Sequence, residues 1–149
     1  MSEMLEKARK YEFIQGQQIK EEERPAFHIT PYVGWMNDPN GFSSYQGKTH
    51  LFYQFHPYDK NWGPMHWGHY ETDDFIKWTE LPVALAPDQN YDEAGCFSGS
   101  GIETEKGHLL VYTGVMEKET GKEKVSYQNQ CLAFGNGKTY TKLEQNPVI

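Results

Sequence analysis

An internal repeat constrains the fold of this 149-residue chain more than any other feature of its sequence. Residues 41–54, GFSSYQGKTHLFYQ, are similar to residues 101–114, GIETEKGHLLVYTG, and residues 78–85, WTELPVAL, are similar to residues 140–149, YTKLEQNPVI. The two offsets are 60 and 62 residues. A unit of this length with about four strands is typical of a β-propeller blade. Two units cannot close a ring, so the repeat alone leaves open a pair of ordinary meander sheets.

The N-terminus has a different pattern from the rest of the chain. Apolar residues recur at helical spacing across residues 2–14: Met4, Leu5, Ala8 and Tyr11. The segment EEERP (21–25) is expected to end this helix, because a proline disfavours helix in the residue before it. Short aromatic and β-branched segments follow, separated by turn residues. We therefore predict a helical arm over residues 1–26 and an all-β domain over residues 27–149.

Composition excludes several classes of partner. The net charge is −7, from 14 basic and 21 acidic residues, so the chain offers no basic surface for nucleic acid or an anionic membrane. No apolar run has the length of a transmembrane helix, and the charged N-terminus does not resemble a signal peptide. Cys96 and Cys131 lack metal-ligand spacing and are predicted to be reduced and buried. We expect a cytoplasmic protein.

The segment WMNDPNG (35–41) contains a carboxylate with two competing explanations. Asp38, Pro39 and Gly41 occupy the positions that a type I β-turn prefers, which would give Asp38 a purely structural role. A turn has no need of Trp35 or Asn37, however. The alternative is that Asp38 takes part in a reaction, and the segment alone does not decide between the two.

The segment LFYQFHPYDKNWGPMHWGHY (51–70) combines aromatic and amide side chains, as a sugar site requires. On a strand, Tyr53 and Phe55 share one face and Gln54 lies on the other. Trp62 lies in a loop rich in glycine and proline, so both a core position and a ligand contact stay open for it. The tryptophans inside strand patterns are predicted to be core: Trp67 and Trp78.

The sequence shows no pattern for a metal ion or a nucleotide cofactor. His66 and His69 are three residues apart, which places them on opposite faces of a strand. The other histidines have no useful spacing: His28, His50, His56 and His108. The chain also lacks a nucleophile elbow, a phosphate-binding glycine loop and a CxxC motif. We expect neither a metal nor a cofactor.

The segment GCFSGSG (95–101) places small residues around Phe97 and Ser98. Small residues let a backbone and a ligand approach closely, although a glycine-softened strand explains the pattern equally well. Asp92 and Glu93, just before this segment, are interpreted as solvated loop carboxylates.

Taken in order, these segments resemble glycoside hydrolase family 32, the β-fructofuranosidases, invertases and sucrose-6-phosphate hydrolases. The resemblance covers about residues 27–149 and rests on WMNDPNG, FYQ, WGPMHWGH, CFSGS, QCLAFGNG and NPVI. It implies an all-β, five-bladed β-propeller, followed in the family by a β-sandwich. It also implies that Asp38 is the nucleophile of a retaining glycosidase. The residues that it assigns to contacts with the fructosyl ring are Asn37, Gln54, Trp62, Phe97 and Ser98.

The chain departs from the family pattern in two later motifs. The Arg-Asp-Pro motif is missing, since the only arginines are Arg9 and Arg24, and the Glu-Cys motif is missing, since Cys96 and Cys131 follow Gly and Gln. The resemblance therefore implies about the first two blades of the propeller, without the acid/base glutamate. We expect negligible hydrolysis by the chain alone and self-association through exposed blade edges.

The substrate expected from the resemblance is a small fructosyl sugar. Sucrose 6-phosphate is favoured over sucrose, because the N-terminus resembles intracellular bacterial members of the family. An invertase or a fructan-cleaving β-fructosidase is the alternative within the class. A non-catalytic sugar-binding module and a structural fragment without a ligand also remain open.

Overall fold

The computed structural model describes residues 1–121 and 123–149. These residues form a helix, a single 3-10 turn and two four-stranded antiparallel sheets. The helix is α1 (Glu3–Gly16), and the 3-10 turn is Glu21–Glu23. The first sheet contains β1 (Trp35–Tyr45), β2 (Lys48–His56), β3 (His66–Thr72) and β4 (Thr79–Leu85). The second contains β5 (Gly95–Thr104), β6 (Gly107–Thr120), β7 (Glu123–Gly135) and β8 (Tyr140–Lys142).

Each sheet is a meander whose strands lie side by side in chain order. The β1–β2 hairpin shows why the sequence folds this way locally. Gln46 and Gly47 both have positive φ, 49° and 79°, and form a two-residue connection between Tyr45 and Lys48. Such turns match the twist of paired strands and keep consecutive strands adjacent. The two four-stranded sheets confirm the repeated unit of about four strands that the sequence predicted.

The predicted N-terminal helix is confirmed, but its predicted end is wrong. The Ser2 hydroxyl accepts a hydrogen bond from the Leu5 N–H and caps the first turn. The helix ends at Gly16, and residues 21–23 form a separate 3-10 turn. At Gly16 an added Cβ would lie 2.8 Å from the Tyr32 ring, so the chain after the helix packs closely against its last turn. No helix among the described residues has the length and apolar character needed to cross a membrane.

Two apolar clusters form the core. One lies between the two sheets and contains Phe52, Trp67, Ala84, Leu85, Cys96, Leu110, Tyr112, Cys131, Ala133 and Tyr140. The other joins α1 to the first sheet and contains Leu5, Ala8, Tyr53, Phe55, Tyr70, Val83 and Ala86. Trp67 is fully buried, and Trp78 packs, partly buried, against the second cluster. Both cysteines are free and buried, as predicted.

Three imidazoles meet at the boundary between the sheets. His50 Nδ1 lies 2.9 Å from His69 Nε2, and the His108 ring centroid lies 5.1 Å from that of His50. Burial lowers the pKa of all three and brings that of His108 to about 4, so these rings are neutral near pH 7. His66 points elsewhere and contacts the Pro64 carbonyl. The described residues contain no group of three or more His, Cys, Asp or Glu side chains suited to a metal ion.

A buried ion pair joins the end of the first sheet to the last strand of the second. Lys142 Nζ lies 2.6 Å from Asp88 Oδ1 and 2.6 Å from Asp92 Oδ2, and it also donates to the Ala86 carbonyl. The Tyr112 hydroxyl donates to Asp92 Oδ2 at 2.8 Å. The prediction that Asp92 is a solvated loop carboxylate is therefore wrong, because its charge is balanced by a lysine 50 residues further along the chain.

Replacement of Lys142 by methionine leaves two carboxylates without their cation. We expect Lys142→Met to lower the free energy of unfolding by about 3–5 kcal/mol, as when one partner of a buried pair is removed. Lys124→Met is the matched control, since Lys124 is exposed and pairs with Glu117, and it should cost about 1 kcal/mol or less. Urea denaturation measures both values. Equal losses in the two variants would mean that the buried ion pair of Lys142 with Asp88 and Asp92 adds no more stability than an exposed pair.

Two carboxyl groups lie between α1 and the first sheet. Glu12 is 5% exposed and accepts a hydrogen bond from the Val83 N–H. Glu80 accepts hydrogen bonds from the hydroxyls of Tyr53 and Tyr70. Burial, with the nearby Glu80 carboxyl, raises the pKa of Glu12 to about 8, and burial raises the pKa of Glu80 to about 7. With its pKa raised to about 8, the Glu12 carboxyl is mainly protonated near pH 7, where α1 packs on the first sheet.

The sign of the pH dependence follows from these raised pKa values. Between pH 4.5 and about 8 the folded chain holds a proton on Glu12 that the unfolded chain has released, so the contribution of Glu12 to the free energy of unfolding falls as pH rises through this window. The buried histidines, whose pKa values are lowered, contribute with the opposite sign, mainly below pH 6.5. Glu12→Gln mimics the protonated form and should remove the contribution of Glu12 to the slope, leaving those of Glu80 and the buried histidines. Chemical denaturation between pH 5.5 and 8.5 measures the slope. Glu6→Gln, exposed on the same helix, should leave it unchanged, and an unchanged slope in Glu12→Gln would refute the assignment.

Candidate active site

The Asn37–Asp38 pair forms a β-bulge in β1, the first strand of the first sheet. Met36 pairs with Phe55 and Pro39 pairs with Tyr53, so two residues of β1 face the single residue between them on β2. The type I turn that DPNG suggested is wrong, because this stretch continues as strand. A bulge tolerates proline, whose missing N–H would interrupt a regular ladder. The Asp38 side chain is exposed at this bulge.

Gln54 lies opposite this bulge, on β2. Its side chain is 4% exposed, and Nε2 donates to the Cys96 carbonyl at 3.1 Å. Tyr53 and Phe55 pack in the cluster beneath α1, which confirms that Gln54 lies on the other face of its strand. One amide hydrogen bond of Gln54 therefore joins the two sheets.

A second bulge lies at Ser98, near the start of β5. Phe97 pairs with Thr113 and Gly99 with Tyr112, which leaves Ser98 as the extra residue. The Thr113 hydroxyl donates to the Ser98 carbonyl at 3.1 Å. At Gly99 an added Cβ would lie 1.9 Å from the carbonyl oxygen of Val111, so the backbone there requires glycine. Ser98 is exposed, as is Asp38.

Four hydrogen bonds join this part of β5 to the first sheet and to the loop before β3. They are Cys96 N–H to the Met65 carbonyl at 2.8 Å, Gln54 Nε2 to the Cys96 carbonyl at 3.1 Å, Trp67 Nε1 to the Phe97 carbonyl at 3.2 Å, and Gly99 N–H to Asn40 Oδ1 at 3.2 Å. They lie on both sides of Ser98 and come from three strands and the loop before β3. The two bulges are therefore fixed relative to each other.

An aromatic corner lies beside the second bulge. The ring centroids of Trp62 and Phe97 are 6.3 Å apart and their planes meet at 87°. Trp62 is 58% exposed, so it is not a core residue, and Phe97 is half-buried. The Trp62 loop is fixed by the His56 ring, which contacts the Asn61 carbonyl at 3.0 Å and leaves no room for a side chain at Gly63.

The structure thus brings the predicted residues to the same end of the two sheets. Asn37 and Asp38 share the first bulge, Gln54 faces it, and Phe97 and Ser98 lie at the second. Two residues that sequence reasoning missed hold the backbone here: Asn40 and Thr113. Asn40 stands inside the WMNDPNG motif, which was a signal for it, whereas nothing in the sequence marked Thr113.

Comparisons with known proteins show which family the chain is similar to. Residues 28–149 match the family model described as the Glycosyl hydrolases family 32 N-terminal domain. The sucrose-6-phosphate hydrolase of Zymomonas mobilis is 46% identical over 109 residues, which cover 73% of this chain and 21% of that protein. The levanase of Bacillus subtilis is 44% identical over 140 residues, which cover 87% of this chain and 19% of that protein.

A solved structure extends the likeness to the fold. A mutant of the Bombyx mori GH32 beta-fructofuranosidase, in complex with sucrose, has 44% identity and a TM-score of 0.86, and the match covers 97% of this chain and 30% of that one. The chain belongs to glycoside hydrolase family 32, an all-β family of β-propeller enzymes. It spans about a fifth of the length of the curated relatives named above.

The Gln54 contact can be tested by its effect on stability. Gln54→Met keeps the side chain's size but leaves the buried Cys96 carbonyl without a donor. An unsatisfied buried carbonyl costs about 1–3 kcal/mol, and we expect a loss in that range in urea denaturation. Gln128→Met, at an exposed position of β7, should change the free energy of unfolding by less than about 0.5 kcal/mol. A variant at position 54 as stable as this control would mean that the hydrogen bond to Cys96 contributes nothing.

Proposed function

We propose that this chain contributes the nucleophile of a retaining β-fructofuranosidase, and that the nucleophile is Asp38. In the first step a carboxylate oxygen of Asp38 bonds to the anomeric carbon of a fructosyl unit while the glycosidic C–O bond breaks. The leaving oxygen takes a proton from a general acid. In the second step water cleaves the fructosyl ester, releasing fructose with retained configuration and restoring the carboxylate.

The observation that carries this proposal is an exposed carboxylate on a rigid bulge. A nucleophile must be held in one geometry while remaining accessible to the substrate. The bulge at Asn37–Asp38 supplies the exposure, and the hydrogen bonds between the sheets supply the rigidity. Membership of glycoside hydrolase family 32 supports the same chemistry.

The surroundings of Asp38 suit a sugar ring. The exposed face of Trp62, edge-on to Phe97, offers an apolar surface for the C–H face of a sugar. The amides of Asn37 and Gln54 and the hydroxyl of Ser98 can each pair with sugar hydroxyls. In this proposal these five residues position the fructosyl unit and Asp38 attacks it.

The general acid is not assigned to any of the 149 residues. In this proposal residues 27–149 form about the first two blades, residues 1–26 form the arm on the first sheet, and the acid belongs to the protein at its natural length. General acid catalysis commonly contributes about 10²–10⁴-fold, so we propose that the 149-residue chain alone turns over negligibly. Its open sheet edges favour self-association, which light scattering would reveal as a mass above that of the monomer.

Sucrose 6-phosphate is the proposed substrate. The sucrose-6-phosphate hydrolase of Zymomonas mobilis is among the most similar relatives, and a sugar phosphate that does not cross membranes unaided implies a cytoplasmic enzyme. The levanase of Bacillus subtilis supports a fructan as the second candidate. A binding module remains the alternative from another class, and it predicts sugar binding without turnover.

The decisive variant is Asp38→Asn in the protein at its natural length. We expect kcat to fall on the order of 10³-fold or more with every substrate, because loss of a covalent nucleophile removes the reaction path. Release of fructose from sucrose 6-phosphate, sucrose and levan measures this, and the ratio of kcat/KM values identifies the substrate. Asp73→Asn, at an exposed carboxylate in the turn after β3, is the control and should keep full activity. Full activity in Asp38→Asn would refute the proposal, and binding without turnover in the unmodified protein would favour a binding module.

A further inference from the structure

Asn40 contacts both bulges with the two ends of one amide. Its Nδ2 donates to the Asp38 carbonyl at 3.2 Å, and its Oδ1 accepts from the Gly99 N–H at 3.2 Å. The side chain is 4% exposed, so water does not readily replace either contact. One buried side chain therefore spans the distance between the segment with Asp38 and the segment with Ser98.

The bulges explain why such a bridge is needed. At a bulge the extra residue is left out of the ladder, so its main-chain groups must find partners elsewhere. The strands β1 and β5 belong to different sheets, and regular strand pairing does not set their separation. A carboxamide carries a donor and an acceptor in one plane, which a carboxylate or a hydroxyl does not reproduce at this spacing.

We propose that Asn40 is a positioning residue that holds Asp38 in register with the Ser98 segment. This rests on the proposed role of Asp38 as nucleophile. Without the amide, the first bulge keeps its pairing with β2 but loses the hydrogen bond that joins it directly to Gly99 of β5. A misplacement of about 1 Å can cost about 10²-fold in rate even when the reacting groups are intact.

Ser43 provides a matched comparison on the same strand. Its hydroxyl contacts the Gly41 carbonyl at 2.7 Å and His108 Nε2 at 2.9 Å, so it also links β1 to the second sheet. It lies three residues beyond Asn40, beside a further register shift of β1, and contacts neither the Asn37–Asp38 bulge nor the Ser98 bulge. A purely structural role at the boundary would be shared by the two residues, whereas a positioning role belongs to Asn40 alone.

The kinetic test compares Asn40→Ala, Asn40→Asp and Ser43→Ala in the protein at its natural length. We expect Asn40→Ala to lower kcat about 10–10²-fold with KM changed less than about threefold, because attack rather than binding is disturbed. Asn40→Asp keeps an acceptor for Gly99 but loses the donor to Asp38. It should also lower kcat, and its added charge should move the acid limb of the pH profile upwards. Ser43→Ala should change neither kcat nor the pH profile.

Hydrogen exchange of the Gly99 amide tests the bridge without reference to activity. We expect slow exchange in the unmodified protein and in Asn40→Asp, and exchange faster on the order of tenfold in Asn40→Ala, from loss of one buried hydrogen bond. Fast exchange in the unmodified protein would overturn the inference, as would unchanged kcat in Asn40→Ala or equal losses of kcat in Asn40→Ala and Ser43→Ala. Slow exchange together with no turnover of any fructosyl substrate would instead overturn the proposed function, while the bridge would stand.

Discussion

The contact between the first sheet and the start of β5 is the constraint on which the rest of the structure depends. Trp67 shows how polar and apolar forces act together there. Its ring is fully buried in the cluster between the sheets, while its Nε1 donates to the Phe97 carbonyl. Apolar burial supplies the free energy that holds the sheets together, and the hydrogen bonds fix the position of the start of β5 against the first sheet. The position of Asp38 relative to Ser98 follows from these hydrogen bonds.

Both bulges carry residues of the proposed site, and a regular strand would not present them in the same way. In a regular strand, successive side chains point to opposite faces of the sheet, so Asn37 and Asp38 would not both be on the same face. The first bulge places two residues opposite Gln54, and the second inserts Ser98 as an extra residue between Phe97 and Gly99. Departures from local rules are expected at functional sites, provided that surrounding contacts hold them. Here those contacts come from Asn40, Gln54 and Trp67.

The errors of the sequence interpretation have one physical origin. DPNG has the residues of a type I turn, yet pairing with β2 keeps it extended, because a ladder of main-chain hydrogen bonds outweighs a local turn preference. Asp92 has the sequence context of a solvated loop, yet Lys142 and Tyr112 surround it with partners. In each case a contact outside the segment overrode a preference that was correct for the isolated segment.

The sequence by itself determined the helix, the two repeated meanders, the buried Trp67 and, through its resemblance to the family, the set of candidate residues. Helices, hairpins and the alternation of buried side chains depend on residues close together in the chain, so local patterns record them. Only the tertiary structure decided that Asp38 and Ser98 lie on bulges, that Asn40 spans them, and that three histidines meet between the sheets. Those arrangements join residues tens of positions apart, and their distances are set by packing between sheets, which no local pattern contains.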